Sequence, residues 1–196
     1  NWNLINDSLT YNYSKNQIGY ISHQLWVDSL ENHPQGELLY LNRIAGPVDS
    51  IPSNFPYYVY GDTIYSDNYP QFFMKEAVQT DDYLWMRDTT EMVIYPKSNL
   101  NDTWIFDTLN NLSAQVISVS QENVFGQQDS VKLILVGNDS IKISKSFGIL
   151  SFPDFSNGNL PYKLIGIEGA SQTYGYQRPG FEDYYNIDIG FKKKFS

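Results

Sequence analysis

Hydrophobic and polar residues alternate with a period of two along much of the chain, most clearly over residues 114–168. Ala114 to Phe125 reads as a strand, Gly126-Gln127-Gln128-Asp129 turns it, and Val131 to Val136 follows with Val131, Leu133 and Leu135 on one face. Gly137-Asn138-Asp139 turns the chain again. Ile141, Ile143 and Phe147 then fall inward, while Lys142, Ser144 and Ser146 fall outward and Lys145 breaks the phase. Such alternation is what a half-buried antiparallel strand requires. Pro153 to Pro161 reads as a loop and Tyr162 to Ile167 as the next strand, which predicts a four-stranded meander.

The first hundred residues carry the same signal in shorter pieces. Ile21, His23, Leu25 and Val27 share one face of an alternating run, and Asn32-His33-Pro34-Gln35-Gly36 leads into a strand over Leu38 to Ile44. Tyr57 to Tyr60 and Thr63 to Ser66 flank Gly61-Asp62, a strong hairpin signal. Tyr83 to Met86 and Met92 to Tyr95 read as two further strands. Gln71 to Gln79 fits either a short helix or a bulged strand. The prediction is an all-β chain, an antiparallel meander sandwich or half-barrel with at most one or two short helices. It reads as one domain over 1–196, with an N-terminal subdomain 1–103 packed on a meander 104–190 as the finer division.

Composition agrees. Among 196 residues there are 4 Ala and 7 Glu, against 35 Ile, Val and Thr and 31 aromatics. Helix formers are scarce, and residues that suit a pleated surface abound. Eighteen Asn, 13 Gly and 9 Pro supply turn chemistry. With no cysteine there is no disulfide, cysteine-ligated metal site or thiol nucleophile. A net charge of −9 argues against nucleic acid as a partner, since phosphate binding needs a basic surface. Apolar runs such as Leu133 to Val136 are too short to span a bilayer as a helix.

Chemistry-bearing motifs are few. There is no nucleophile elbow, phosphate loop or dinucleotide fingerprint. His23 sits in phase with core residues and His33 precedes Pro34 in a turn, so two isolated histidines make no zinc site. Asp81-Asp82 and the group Glu182, Asp183 and Asp188 lack the spacing of a calcium loop. No catalytic residue, metal site or cofactor is therefore assigned. Glu122, Glu168 and Glu182 are the carboxylates that a hydrolase acting on glycans could use as a pair. Aromatics crowd residues 57–85 and again 174–185. From these, Tyr58, Tyr83, Trp85, Tyr174 and Tyr176 are the candidate partner-binding residues, because such rings dominate interfaces and stack on sugars.

A tripeptide of Asp, Ser or Thr, and an aliphatic residue recurs seven times, where composition alone gives on the order of one. Its hydroxyl residues are Ser8, Ser29, Ser50, Thr63, Thr108, Ser130 and Ser140. Turn chemistry accounts for part of the excess, since Asp ends turns and a small hydroxyl residue opens strands. The tripeptide also resembles the O-glycosylation acceptor of exported Bacteroidota proteins. Independently, Trp104-Ile105-Phe106-Asp107, Asp129-Ser130-Val131-Lys132, Ile143-Ser144-Lys145-Ser146-Phe147-Gly148-Ile149, Tyr162 to Gly169 and Pro179 to Tyr185 resemble the β-rich, non-catalytic region of type IX secretion substrates of that phylum. This resemblance covers roughly the C-terminal half and implies an extracellular or cell-surface location, with the periplasm as the alternative. The final Phe191-Lys192-Lys193-Lys194-Phe195 departs from a sorting domain. The expected function is an exported, non-catalytic β-domain that binds a protein or a surface glycan. The alternatives are a half-barrel carrier of an apolar ligand and a glycan-directed hydrolase using a carboxylate pair.

Overall fold

The computed structural model describes residues 2–15, 23–41, 44–47, 58–60, 63–66, 74–87, 90–155 and 160–177. Within them the chain is all-β, with no helix and with every strand pairing antiparallel. The strands are β1 (Leu9–Ser14), β2 (His23–Leu25), β3 (Ser29–His33), β4 (Gly36–Tyr40), β5 (Ile44–Pro47), β6 (Tyr58–Tyr60), β7 (Thr63–Ser66), β8 (Glu76–Gln79) and β9 (Leu84–Arg87). They continue as β10 (Glu91–Ile94), β11 (Thr103–Asp107), β12 (Leu112–Val124), β13 (Gln127–Val136), β14 (Asp139–Ser144), β15 (Gly148–Phe152), β16 (Tyr162–Gly169) and β17 (Thr173–Gly175).

From β8 to β16 each strand pairs with the next, forming a nine-stranded meander. The β3–β4 hairpin adds to β8 at one end. At the other end β16 holds β15 and β17 on one edge and β1 on the opposite edge. The order then runs through β2, β5, β7 and β6. The pairing therefore passes without a break between residues before and after 103, through Met92↔Asp107 and through β1 with β16.

The sheet is open, but it cannot be flat. Seven strand spacings separate β8 from β15, roughly 34 Å if the sheet were planar. Yet consecutive residues of the N-terminal segment touch both. The Ile5 amide donates to Gln79 Oε1 at 2.9 Å, and the Gln79 side-chain amide donates back to the Ile5 carbonyl at 2.7 Å. The Leu4 carbonyl lies where a Cβ on Gly148 would sit, 2.4 Å away, and Gly148 itself has φ +76°. Any other residue there would clash and be strained as well. The sheet therefore curls around the segment that precedes β1. Leu4 and Ile5 are buried together with Tyr11, Tyr13, Leu39, Met86, Ile94, Phe106, Ile134, Ile141 and Phe152. Burying two such aliphatic side chains contributes on the order of 1.5–3 kcal/mol each. Tyr13 donates its hydroxyl to the Ile149 carbonyl across this interior at 2.9 Å.

The predicted meander is present with one additional strand, β15, between the predicted third and fourth strands. Of the two readings of Gln71–Gln79, helix or bulged strand, the strand is formed as β8, with residues 71–73 outside the described ones. In β13 the phase is reversed: Lys132, Ile134 and Val136 join the core and Leu135 is exposed, although Val131 is buried on the opposite face. A bulge between Val116 and Ser118 shifts the pairing of β12 with β13 and changes which residues of β12 face inward. Ser144, expected outside, is fully buried, for reasons set out below.

The hairpin β12–β13 turns tightly through Phe125 and Gly126, both at positive φ (50° and 84°), with Val124 opposite Gln127. A two-residue turn with both residues left-handed matches the strand twist, at a cost for a phenylalanine. That ring is held by Phe147 at 5.5 Å and Tyr174 at 6.4 Å, and the Gly126 amide donates to Asn123 Oδ1. The predicted hairpin of β6 and β7 is formed, with its turn at residues 61–62 outside the described ones.

Changing Gln79 to Ala is expected to cost about 3 kcal/mol, because both backbone groups of buried Ile5 lose their partner. Gln79→Glu, which can accept from the Ile5 amide but not donate to its carbonyl, should fall between. Urea unfolding of the three proteins checks this; an alanine variant within about 0.5 kcal/mol of wild type would contradict it.

Candidate functional site

Among the described residues, three ionisable clusters besides buried Asp107 reach the interior, and each is bound into the fold. Lys132 is buried because its ammonium donates to the carbonyls of Pro96 at 2.6 Å and Ser98 at 2.7 Å and sits 4.4 Å from the centre of the Trp2 ring. Burial pushes it below the usual lysine range, against the pull of Asp102. These contacts tie β13 to the loop after β10 and to the N-terminal segment.

Asp129 is the second. Burial raises its carboxyl, but hydrogen bonds from the Ser144 hydroxyl, the Ser146 and Ser130 amides and the Ser146 hydroxyl outweigh that and leave it below the usual range. Ser146 N lies at 2.8 Å, and Ser144 Oγ in turn accepts from the Phe147 amide at 3.1 Å. This is why Ser144 faces in: it pins the β14–β15 turn to the start of β13.

The third cluster lies at the end of β1 and β2. Lys15 pairs with buried Asp154 and its ammonium lies 5.0 Å from the Tyr162 ring centre, which His23 meets edge-on at 4.8 Å. Burial, helped by the Lys15 charge and opposed by Asp154, lowers the His23 pKa to about 4. The imidazole is neutral at pH 7 and packs as a core residue. Among the described residues no group of three His, Asp or Glu side chains is arranged to hold a metal ion.

A second row lies on the other face of β8–β10. Leu38, Val78, Trp85 and Val93 stand opposite one another in register across β4, β8, β9 and β10, on the face away from the Leu39, Ala77, Met86 and Met92 core row; Val78 is fully buried and the other three are half-buried. The Arg87 guanidinium lies 5.0 Å from the Trp85 ring centre. Beside this row Tyr83, Tyr95 and Trp104 meet in succession, ring centres 6.2 and 5.7 Å apart at 67° and 87°. The Trp104 indole N–H donates to the Val93 carbonyl at 2.8 Å, which fixes its orientation. Tyr95 is 38% exposed, and Asp81, Asp82, Glu91 and Lys97 are exposed nearby in sequence, with Lys97 paired to Asp82 at 2.8 Å.

Of the predicted binding residues, Tyr83 and Trp85 belong to this face. Tyr174 is half-buried in the Phe125–Phe147 cluster, while half-buried Tyr176 follows β17 and its amide bonds the Ile165 carbonyl. No ring contact joins them to Tyr83 among the described residues. The Tyr58 backbone pairs with Tyr65 in β6–β7. The sequence pattern does not mark Tyr95 or Trp104 as binding residues. The usable signal was the hairpin register: Leu84 opposite Ile94 places Tyr83 and Tyr95 side by side.

Ser8, Ser29, Thr108 and Ser140 are exposed and Ser130 is half-buried, whereas Ser50 lies outside the described residues and Thr63 is described through its backbone in β7. Turn chemistry is visible at Asp107, whose carboxylate accepts from the Leu109 and Asn110 amides at 2.9 and 3.0 Å. Glu168 accepts from Asn12 Nδ2 at 2.6 Å, and Glu122 is held by Lys142 at 2.6 Å, which lowers its pKa. Both carboxylates are engaged within the sheet; Glu182 lies outside the described residues. Among the described residues no helix is long and apolar enough to cross a membrane.

Comparison with protein-family models, curated proteins and solved structures returns no match.

The buried histidine predicts a pH dependence. Its folded pKa of about 4 lies below the ordinary 6.5, so the unfolded chain takes up its proton first. Stability is therefore full above pH 6.5 and falls as pH drops toward 4, by about 3 kcal/mol from this group. His23→Gln should remove that part of the slope, read as the wild-type-minus-variant difference in unfolding free energy from pH 7 to 4. An identical slope in both proteins would contradict it.

Proposed function

We propose that the chain is a non-catalytic interaction domain of an exported protein, and that it docks a partner protein on the outer face built by Tyr83, Trp85 and Tyr95. The observation that carries this reading is the group Tyr83, Trp85 and Tyr95 on the face of the sheet opposite the core, where Tyr95 is exposed and Tyr83 and Trp85 are half-buried. Aromatic side chains supply large contact area at little entropic cost and are enriched at interface hot spots. The steep ring-to-ring angles favour a protein over a glycan, because sugar stacking calls for a flat ring platform. The exposed acidic side chains Asp81, Asp82 and Glu91, in a chain of net charge −9, favour a partner with a basic rim. Export is supported by the resemblance of the C-terminal half to type IX secretion substrates, and by the exposure of four hydroxyl residues of the repeated tripeptide.

The test is binding of the immobilised domain to separated fractions of the cell envelope of its own organism, one protein and one polysaccharide. Saturable, salt-sensitive binding to the protein fraction is expected. Tyr95→Ser should weaken it about tenfold, and Tyr83→Ser similarly, with melting temperatures held near wild type. Binding confined to polysaccharide, or equal binding by the variants, would overturn the reading.

A further inference from the structure

The strand order leaves the outer edge of β3 open. Among the described strands β3 pairs with β4 alone, whereas β4 carries β8 on its other side. Ser29, Leu30, Glu31 and Asn32 are all exposed, so the strand stands at the surface. In an antiparallel pair, alternate residues turn both N–H and C=O away from the neighbour, and on β3 these groups face outward. Natural edges are blunted by proline, lysine, a bulge or a covering segment. Ser29–His33 contains no proline or lysine, and its five pairs with Gly36–Tyr40 run without a register shift.

The side chains of this edge define what fits beside it. Leu30 extends the core row of Leu39, Ala77, Met86 and Met92, yet it is 42% exposed where they are buried. An apolar residue opposite Leu30 would complete that row. Glu31 lies on the other face, opposite Leu38, and accepts from the Tyr40 hydroxyl at 3.0 Å. It has no ion-pair partner among the described residues. A lysine or arginine opposite Glu31 would supply one, since opposite charges facing each other across strands attract. A second copy of the chain fits badly. The antiparallel register that pairs all five residues of β3 with themselves sets Glu31 against Glu31, between two chains of net charge −9.

We infer that β3 accepts an extended segment of a partner protein as an added strand, with apolar residues on the Leu30 face alternating with lysine or arginine on the Glu31 face. Backbone hydrogen bonds would hold the segment and the two side-chain rows would select it. The edge lies three strand spacings from Trp85, and the inference does not depend on docking at Tyr83, Trp85 and Tyr95.

The experiment is an amide-resolved NMR titration of the intact chain with the capped peptide Thr-Lys-Val-Lys-Val-Lys-Thr. The same peptide with glutamate in place of lysine is titrated in parallel. The lysine peptide should shift the Leu30, Glu31 and Asn32 amides in a saturable fashion, and the glutamate peptide should bind at least tenfold more weakly. Glu31→Lys should reverse that preference; the side chain is exposed, so the variant is expected to keep the wild-type melting temperature. Only alternate peptide N–H groups can face β3. Of two lysine peptides N-methylated either at the valines or at the lysines, one should therefore bind like the parent and the other should not bind. Shifts confined to another surface, an unchanged preference in Glu31→Lys, or no difference between the two N-methylated peptides would overturn the inference. Concentration-dependent shifts of the same amides in the chain alone would assign the edge to a second copy and overturn it as well.

Discussion

Two hydrogen bonds between one glutamine side chain and one buried residue's backbone set the curvature of the sheet. Gln79 presents an amide to Ile5 as a neighbouring strand would, donating once and accepting once. It thereby admits the N-terminal segment into the interior without leaving polar backbone unsatisfied, the condition for burying any irregular segment. Gly148 on the opposite wall supplies the other half of the constraint, since only a residue without a side chain leaves space for the Leu4 carbonyl. Trp2 and Lys132 extend the same segment toward the loop after β10. An open sheet curls because its own chain fills the curl.

That arrangement shapes the functional account. The segment occupies the concave side, where a half-barrel carrier would hold an apolar ligand, and Leu4 and Ile5 leave almost none of their surface to solvent. The interior ionisable groups are likewise committed: Lys132 to two carbonyls, Asp129 to two serines, Asp154 to Lys15 and His23 to the Tyr162 edge. Each is held by partners within the fold, and the proposed docking therefore rests on the outer face of β9 and β10.

Much of the fold was legible in the sequence because period-2 alternation is a local signal. Ile141 and Ile143 fall inward as expected, and Tyr58–Tyr60 pairs with Thr63–Ser66. What was not legible depends on distant partners. Lys132 belongs inside only because carbonyls 34 and 36 residues away accept its protons, and Ser144 only because Asp129 lies 15 residues back. A pattern count that treats every lysine and serine as outward must reverse the phase of β13. The bulge at residues 116–118 then changes the phase of β12 with no Gly or Pro to announce it. The site was half visible: Tyr83 and Trp85 stood out as a cluster along the chain, whereas Tyr95 and Trp104 join them only through strand register.

The most direct test of the central claim is hydrogen exchange of the Ile5 amide, resolved from its neighbours, in the intact chain. If the N-terminal segment is what the sheet closes upon, this amide exchanges nearly as slowly as that of Ile134 in the centre of the meander, although it lies outside any strand. Exchange of Ile5 at the rate of an unstructured peptide, while Ile134 stays protected, would mean that the sheet holds its curl without the segment and that the account is wrong.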